Sequence, residues 1–164
     1  MFLKNLKIKN FRNIEEANIS FGEKINIILG NNAQGKTNIV ESIYVTAFLK
    51  SFRTQKINDL IKDGCENFSI NIDLFDNDVL NKIDFFMDKT SKKININGKK
   101  PENYKYLNVV IFHPDEVNYI TNYPVFRRNL IDRSIFYTDF DYINLYKKYY
   151  RCLKQRNILL KENK

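Results

Sequence analysis

The chain has 164 residues, with 27 Lys+Arg against 19 Asp+Glu, a formal charge of +8, and 43% hydrophobic residues. That is globular composition, and it excludes a disordered tail, a collagen-like fibre and a coiled-coil rod. Two cysteines, Cys65 and Cys152, cannot build a disulfide framework or a metal cluster, and the single His113 removes most zinc chemistry.

The opening Met1-Phe-Leu-Lys-Asn-Leu-Lys7 has no apolar core, so it is not a signal peptide. Leu3, Leu6, Ile8 and Phe11 predict a first strand. Ala17, Ile19 and Phe21 alternate with polar residues and predict a half-buried second one. Ile25 to Leu29 is apolar except for Asn26, the pattern of a strand buried on both faces. Gly30-Asn-Asn-Ala-Gln-Gly-Lys-Thr37 follows at once, and then Ile39, Val40, Ile43, Tyr44, Ala47 and Phe48 at helical spacing.

Further on, 50–55 is polar loop and 57–61 a short helix ending near Gly64. Phe68, Ile70, Ile72 and Leu74 alternate strictly and predict a strand, with another over 80–87. Residues 93–96 run into Asn97-Gly98, a strong hairpin signal. These segments predict an antiparallel lobe beside a loop-bearing sheet. A short apolar run over 109–112 is broken by His113-Pro114-Asp115-Glu116. Pro124 fits the first turn of a helix that points Phe126, Leu130, Ile131 and Ile135 inward and Arg127, Arg128 and Arg133 outward. Asp139 opens a last helix with a stripe of Tyr142, Leu145, Tyr146, Tyr149, Leu153 and Leu160. No run approaches the ~18 apolar residues of a membrane span. A soluble, reduced, cytoplasmic protein is expected.

Residues 30–37 fit G-x-x-x-x-G-K-[ST], the phosphate-binding loop, in its strand–loop–helix setting. Glycines let successive N–H groups wrap one anion, and the following helix offers it a positive dipole end. The expected nucleotide contacts are Gly30, Asn31, Asn32, Ala33, Gln34, Gly35, Lys36 and Thr37. Lys36 neutralises the β- and γ-phosphates of ATP, and the Thr37 hydroxyl reaches Mg²⁺. Ala33 is tolerable within the loop if its φ is negative. Hydrolysis needs a second acidic motif after an apolar strand. Residues 70–73 and 109–115 fit it poorly, so no catalytic residue is assigned.

Several segments in order resemble the RecF family of bacterial recombination mediators. They are Leu6-Lys-Ile-Lys-Asn-Phe-Arg-Asn13, the loop with Asn38, Glu41-Ser-Ile-Tyr44, Ser51-Phe-Arg-Thr54, Asn97-Gly98, Phe112-His-Pro-Asp-Glu-Val117, Arg127-Arg128 with Asp132, and Leu153-Lys-Gln-Arg-Asn157. The resemblance implies an α/β phosphate-loop NTPase fold, the N-terminal half of an ABC-type ATPase head. An ATP-binding lobe over 1–122 is expected, with the start of a helical lobe over 123–164. It also implies Arg12 near the nucleotide phosphates and Asp115 or Glu116 near Mg²⁺. Arg53 would lie near the loop that related heads use around DNA or the partner's ATP, and Arg127 and Arg128 toward DNA, though Asn129 interrupts a common arginine triplet.

Members of the family close as ATP-dependent homodimers and act as weak DNA-dependent ATPases. They bind single-stranded DNA and single-strand/double-strand junctions, and work with RecR and RecO to load recombinase during the SOS response. The signature motif, second acidic motif and catalytic glutamate belong to a C-terminal half. The chain therefore reads as an N-terminal fragment that binds nucleotide without the hydrolysis motifs.

Other readings compete. A stand-alone phosphate-loop kinase for small molecules needs a lid and an acidic base, and neither is found. A basic DNA-binding module with a vestigial loop is a third. Residues 147–164 hold 7 Lys+Arg and one acid, so +6 of the charge is local. Lys147, Lys148, Arg151, Lys154 and Arg156 either touch DNA phosphates or form a solvated face. The tyrosines of 137–150 either stack bases or pack a core.

Overall fold

A computed structural model describes residues 1–102, 106–112, 123–139 and 141–162. The chain divides into two compact units, Met1–Ile111 and Phe112–Lys164.

The first unit is one five-stranded antiparallel sheet carrying a helix. Strands β1 (Phe2–Phe11), β2 (Ile14–Ser20), β3 (Asn67–Asp76), β4 (Val79–Asp88) and β5 (Lys92–Ile96) lie in the order β2-β1-β3-β4-β5. Successive side chains of a strand point to opposite faces, so register decides what is buried. Leu6 pairs with Ile72, Ile72 with Ile83, and Ile83 with Ile96. Ile8, Ile70, Phe85 and Ile94 make the neighbouring row. Both rows lie on one face, where Phe11, Phe68, Leu74 and Met87 join the buried cluster.

Two-residue turns set this register. Arg12-Asn13 joins β1 to β2, with Phe11 opposite Ile14. Asn77-Asp78, φ 47° and 61°, joins β3 to β4, and Asn97-Gly98, φ 49° and 77°, closes on Lys99. Paired positive φ values match the twist of antiparallel strands.

Helix α1 (Lys36–Phe48) covers the buried face through Val45, with Ile39, Ile43 and Leu49 packed beside it. Its buried side also carries Glu41, Ser42 and Thr46, which an apolar stripe does not predict. Ser42 Oγ donates to the Ile39 carbonyl at 2.7 Å and Thr46 Oγ1 to the Ser42 carbonyl at 3.0 Å, so these hydroxyls are satisfied locally. A 3-10 turn, Ile57–Leu60, adds Leu60 to the core.

Two expectations are corrected. No separate loop-bearing sheet exists among the described residues; the antiparallel strands are themselves the sheet on which α1 lies. The run 25–29 is not a buried strand: Ile25, Ile27 and Leu29 are 86%, 77% and 86% exposed and pair with no described strand. Burial on both faces needs neighbours on both sides, and the β2-to-β5 sheet supplies none. The run 109–112 likewise forms no strand, and Val110 and Phe112 are exposed.

The second unit contains α2 (Pro124–Thr138) and α3 (Tyr142–Glu162). Pro124 sits in the first turn of α2, as its missing N–H allows. Leu130 and Ile131, expected inward, are exposed, and so are Leu145, Tyr149 and Leu160 of α3. A pair of helices cannot enclose two apolar stripes. The Tyr142 hydroxyl donates to Asp132, which pushes the phenol pKa up. Tyr146 and Tyr150 pack against each other along α3, ring centroids 4.5 Å apart and planes tilted by 41°.

Candidate phosphate-binding site

The loop 30–37 ends on the first turn of α1, and its geometry follows from Gly35. Gly35 is the buried N-cap, at φ 94° and ψ 8°. A Cβ there would lie 3.0 Å from Asn13 Oδ1, and positive φ would strain any side chain. The cap makes no side-chain hydrogen bond, and the first turn holds no acid. The unpaired N–H groups of α1 and their partial positive charge are therefore available to an anion.

Lys36 folds back over the loop. Its Nζ donates to the carbonyls of Gly30 at 2.6 Å and Asn31 at 2.7 Å. The lysine bridges the start of the loop to its end, with its charge beside the helix N-terminus. Asn31, Asn32, Ala33, Gln34 and Thr37 are exposed around it. Ala33 has φ 66°, so the condition of a negative φ is not met and the loop holds an L-residue in the left-handed region.

The β1–β2 turn braces this loop. Asn13 Nδ2 donates to the Ala33 carbonyl at 3.0 Å, and Asn13 Oδ1 accepts from Asn38 Nδ2 at 2.7 Å. Beside it, Arg12 is at φ 54°. Its Nε and Nη2 donate to the Glu41 carboxylate at 3.2 and 2.7 Å, and its Nη1 to the Asp59 carbonyl at 3.1 Å. Arg53 Nη1 reaches both Asn38 Oδ1 at 2.7 Å and Glu41 Oε2 at 3.1 Å. Ser51 Oγ completes the carboxylate at 2.6 Å.

Arg12 and Arg53 are thus brought together next to the loop. Arg127 and Arg128 lie exposed on α2, in the other unit. Asp115 and Glu116 lie outside the described residues, as does His113. Among the described residues, no group of three His, Cys, Asp or Glu side chains gathers for a metal. Sequence reasoning gave no role to Asn13, Asn38, Glu41 or Ser51, although all four lie in the segments resembling RecF. The available signal was a glutamate on a helix face otherwise destined for the core.

The residues present fit a nucleotide triphosphate. A glycine-capped helix N-terminus, a lysine held on replaceable carbonyl partners and an exposed Thr37 hydroxyl are the donor set such a group needs.

Fold and loop together are those of the N-terminal part of a RecF/SMC-type head. The RecF/RecN/SMC N terminal domain model matches residues 2–118, and the chain belongs to that family. Within it, the similarity is to RecF. The chain is 40% identical to the DNA replication and repair protein RecF of Clostridium acetobutylicum, over 100% of this chain and 47% of that protein. For the RecF of Geotalea daltonii the figures are 37%, 98% and 45%. The solved structure of the recombination mediator protein RecF with ATP, of the RecFOR pathway, superposes with a TM-score of 0.82. It is 33% identical, covering 98% of this chain and 45% of that one. The SMC head domain from Thermotoga maritima shares the fold, at TM-score 0.52 and 20% identity over 62% of this chain and 39% of that one. The chain spans about half the length of the RecF proteins it matches.

Proposed function

We propose that this chain is the nucleotide-binding part of a RecF-like DNA replication and repair protein, with ATP held at residues 30–37. The observation that supports this most is the unblocked, glycine-capped N-terminus of α1 with Lys36 poised over it. On this reading Lys36 leaves its two carbonyls for the phosphates and Thr37 faces Mg²⁺. Arg12 adds a cation on the same side, and Asp115 or Glu116 is the further magnesium-side candidate. On the same reading the hydrolysis motifs belong to a C-terminal half, and ATP acts here as a ligand.

The larger protein would close as an ATP-dependent homodimer in the cytoplasm. It would bind DNA at single-strand gaps, work with RecO and RecR and help load recombinase in the SOS response. The RecF naming of the relatives and the ATP-bound RecF structure support this reading. Arg53, Arg127 and Arg128 are its DNA-side candidates.

The test is equilibrium binding of a fluorescent ATP analogue to the full chain. Lys36→Ala is expected to weaken it about 10- to 100-fold, the scale of one or two charge-assisted hydrogen bonds. Equal affinity in both proteins would overturn the assignment. ATP turnover should be negligible in both.

A further inference from the structure

Glu41 is the one fully buried acid among the described residues, and it lies one helical turn past Thr37 on α1. Its carboxylate receives four donors: two from Arg12, one from Arg53 and one from Ser51. A carboxylate has about four acceptor positions, so its capacity is filled. Two guanidiniums share one negative charge, leaving one positive charge in excess beside the loop.

The two arginines are held differently. Arg12 makes a two-pronged pair, which fixes the plane of the guanidinium as well as its position. Its side chain is 20% exposed. Its strained backbone is pinned as well, by Arg12 N–H to the Leu60 carbonyl at 2.8 Å and Lys62 N–H to the Asn10 carbonyl at 2.9 Å. Arg53 reaches Glu41 through a single nitrogen that it also shares with Asn38, and its side chain is 46% exposed. If Arg53 departs, Arg12 still neutralises the buried carboxylate. If Arg12 departs, the fork is lost and the turn carrying Asn13 loses its anchor.

We infer that Glu41 is a positioning residue for nucleotide binding. It locks Arg12 beside the phosphate loop, a hold that the single-nitrogen contact of Arg53 does not supply. The inference rests on the reading that residues 30–37 bind ATP. Glu41 itself touches no ligand; it acts through Arg12.

The experiment measures ATP-analogue affinity and thermal unfolding for the full chain and for Lys36→Ala, Glu41→Gln, Arg12→Gln, Arg53→Gln and the Glu41→Gln/Arg12→Gln double variant. Glu41→Gln is expected to lose about tenfold in affinity. Arg53→Gln should lose less affinity than Arg12→Gln, because Arg12 keeps its two-pronged pair with Glu41. The double variant should bind no more weakly than Arg12→Gln alone, because a residue acting only through Arg12 has nothing left to position. Additive losses, or wild-type affinity in Glu41→Gln, would overturn the inference while Lys36→Ala still showed the loop to be the site. If Lys36→Ala bound like wild type, the site reading itself would fail. Should Glu41→Gln not fold, Arg12→Lys decides. It keeps the charge but cannot form the fork, and wild-type affinity there would count against the role of Glu41.

Discussion

Arg12 and Ala33 are both L-residues in the left-handed region, at φ 54° and 66°, and Asn13 joins them by its bond to the Ala33 carbonyl. Such a backbone costs about 1–2 kcal/mol for a residue with a Cβ. Arg12 is compensated by its bonds to Glu41, Asp59 and Leu60; Ala33 is exposed and has no comparable hold. Ala33→Gly removes the clash but adds freedom to the unfolded chain, about 0.4–1 kcal/mol against it. The net expectation is a gain of about 0.5–1 kcal/mol, read as a higher urea midpoint at constant slope. An unchanged or lower midpoint would show that the loop relaxes around Ala33. The phosphate loop was legible in the sequence because its residues are contiguous. The Glu41 cluster was not, because it gathers Arg12, Glu41, Ser51 and Arg53 from separate segments, and helical periodicity assigns that face to apolar side chains.

The strands of the sheet were legible wherever period-two alternation runs unbroken, as in Phe68, Ile70, Ile72 and Leu74 of β3. β3 is the central strand, and Phe68 packs on Phe11 and Phe85 with ring centroids 5.2 and 5.7 Å apart. Phe68→Ala is expected to cost about 3–5 kcal/mol in chemical denaturation. The Asn77-Asp78 turn carries no glycine and escaped the sequence reading, while Asn97-Gly98 did not. Between β4 and β5, Asp88 accepts from Ser91 Oγ and Thr90 Oγ1 and from the N–H groups of both. These bonds, the Ser91 hydroxyl first, hold its carboxyl well below the usual carboxylate range. A lowered folded pKa means the stabilisation is complete above the unfolded value of 3.8 and is lost as pH falls through the folded one. Asp88→Asn should therefore lower the melting temperature at neutral pH and flatten its decline below about pH 4. Parallel acid limbs in the two proteins would contradict this.

At the scale of the whole molecule, apolar surface is left uncovered at both ends of the described chain. Ile25, Ile27 and Leu29 stand in water just before the phosphate loop, and Leu130, Ile131 and Leu145 do so in the helical unit. The sequence pattern predicts burial for these residues and the structure exposes them, because an apolar face is buried only where a neighbour covers it. Contiguous exposed apolar patches drive association. Ile27→Lys is expected to reduce binding of a hydrophobic dye and concentration-dependent scattering without moving the melt of the sheet. The basic charge is equally lopsided, and DNA binding through α3 would weaken steeply with salt. If that face contacts DNA, replacing Lys147, Lys148 and Arg151 by Gln lowers the slope of log affinity against log salt by about 3. An unchanged slope would mean that α3 stands clear of DNA.

The two carbonyl bonds of Lys36 have a calorimetric consequence. In this conformation the ammonium already has partners at 2.6 and 2.7 Å, so an arriving phosphate exchanges bonds with it and does not simply add them. The heat of nucleotide binding should be smaller than the number of phosphate contacts suggests. If Lys36 takes the nucleotide phosphates as proposed, its two carbonyls are internal competitors whose displacement sets part of the enthalpy of binding.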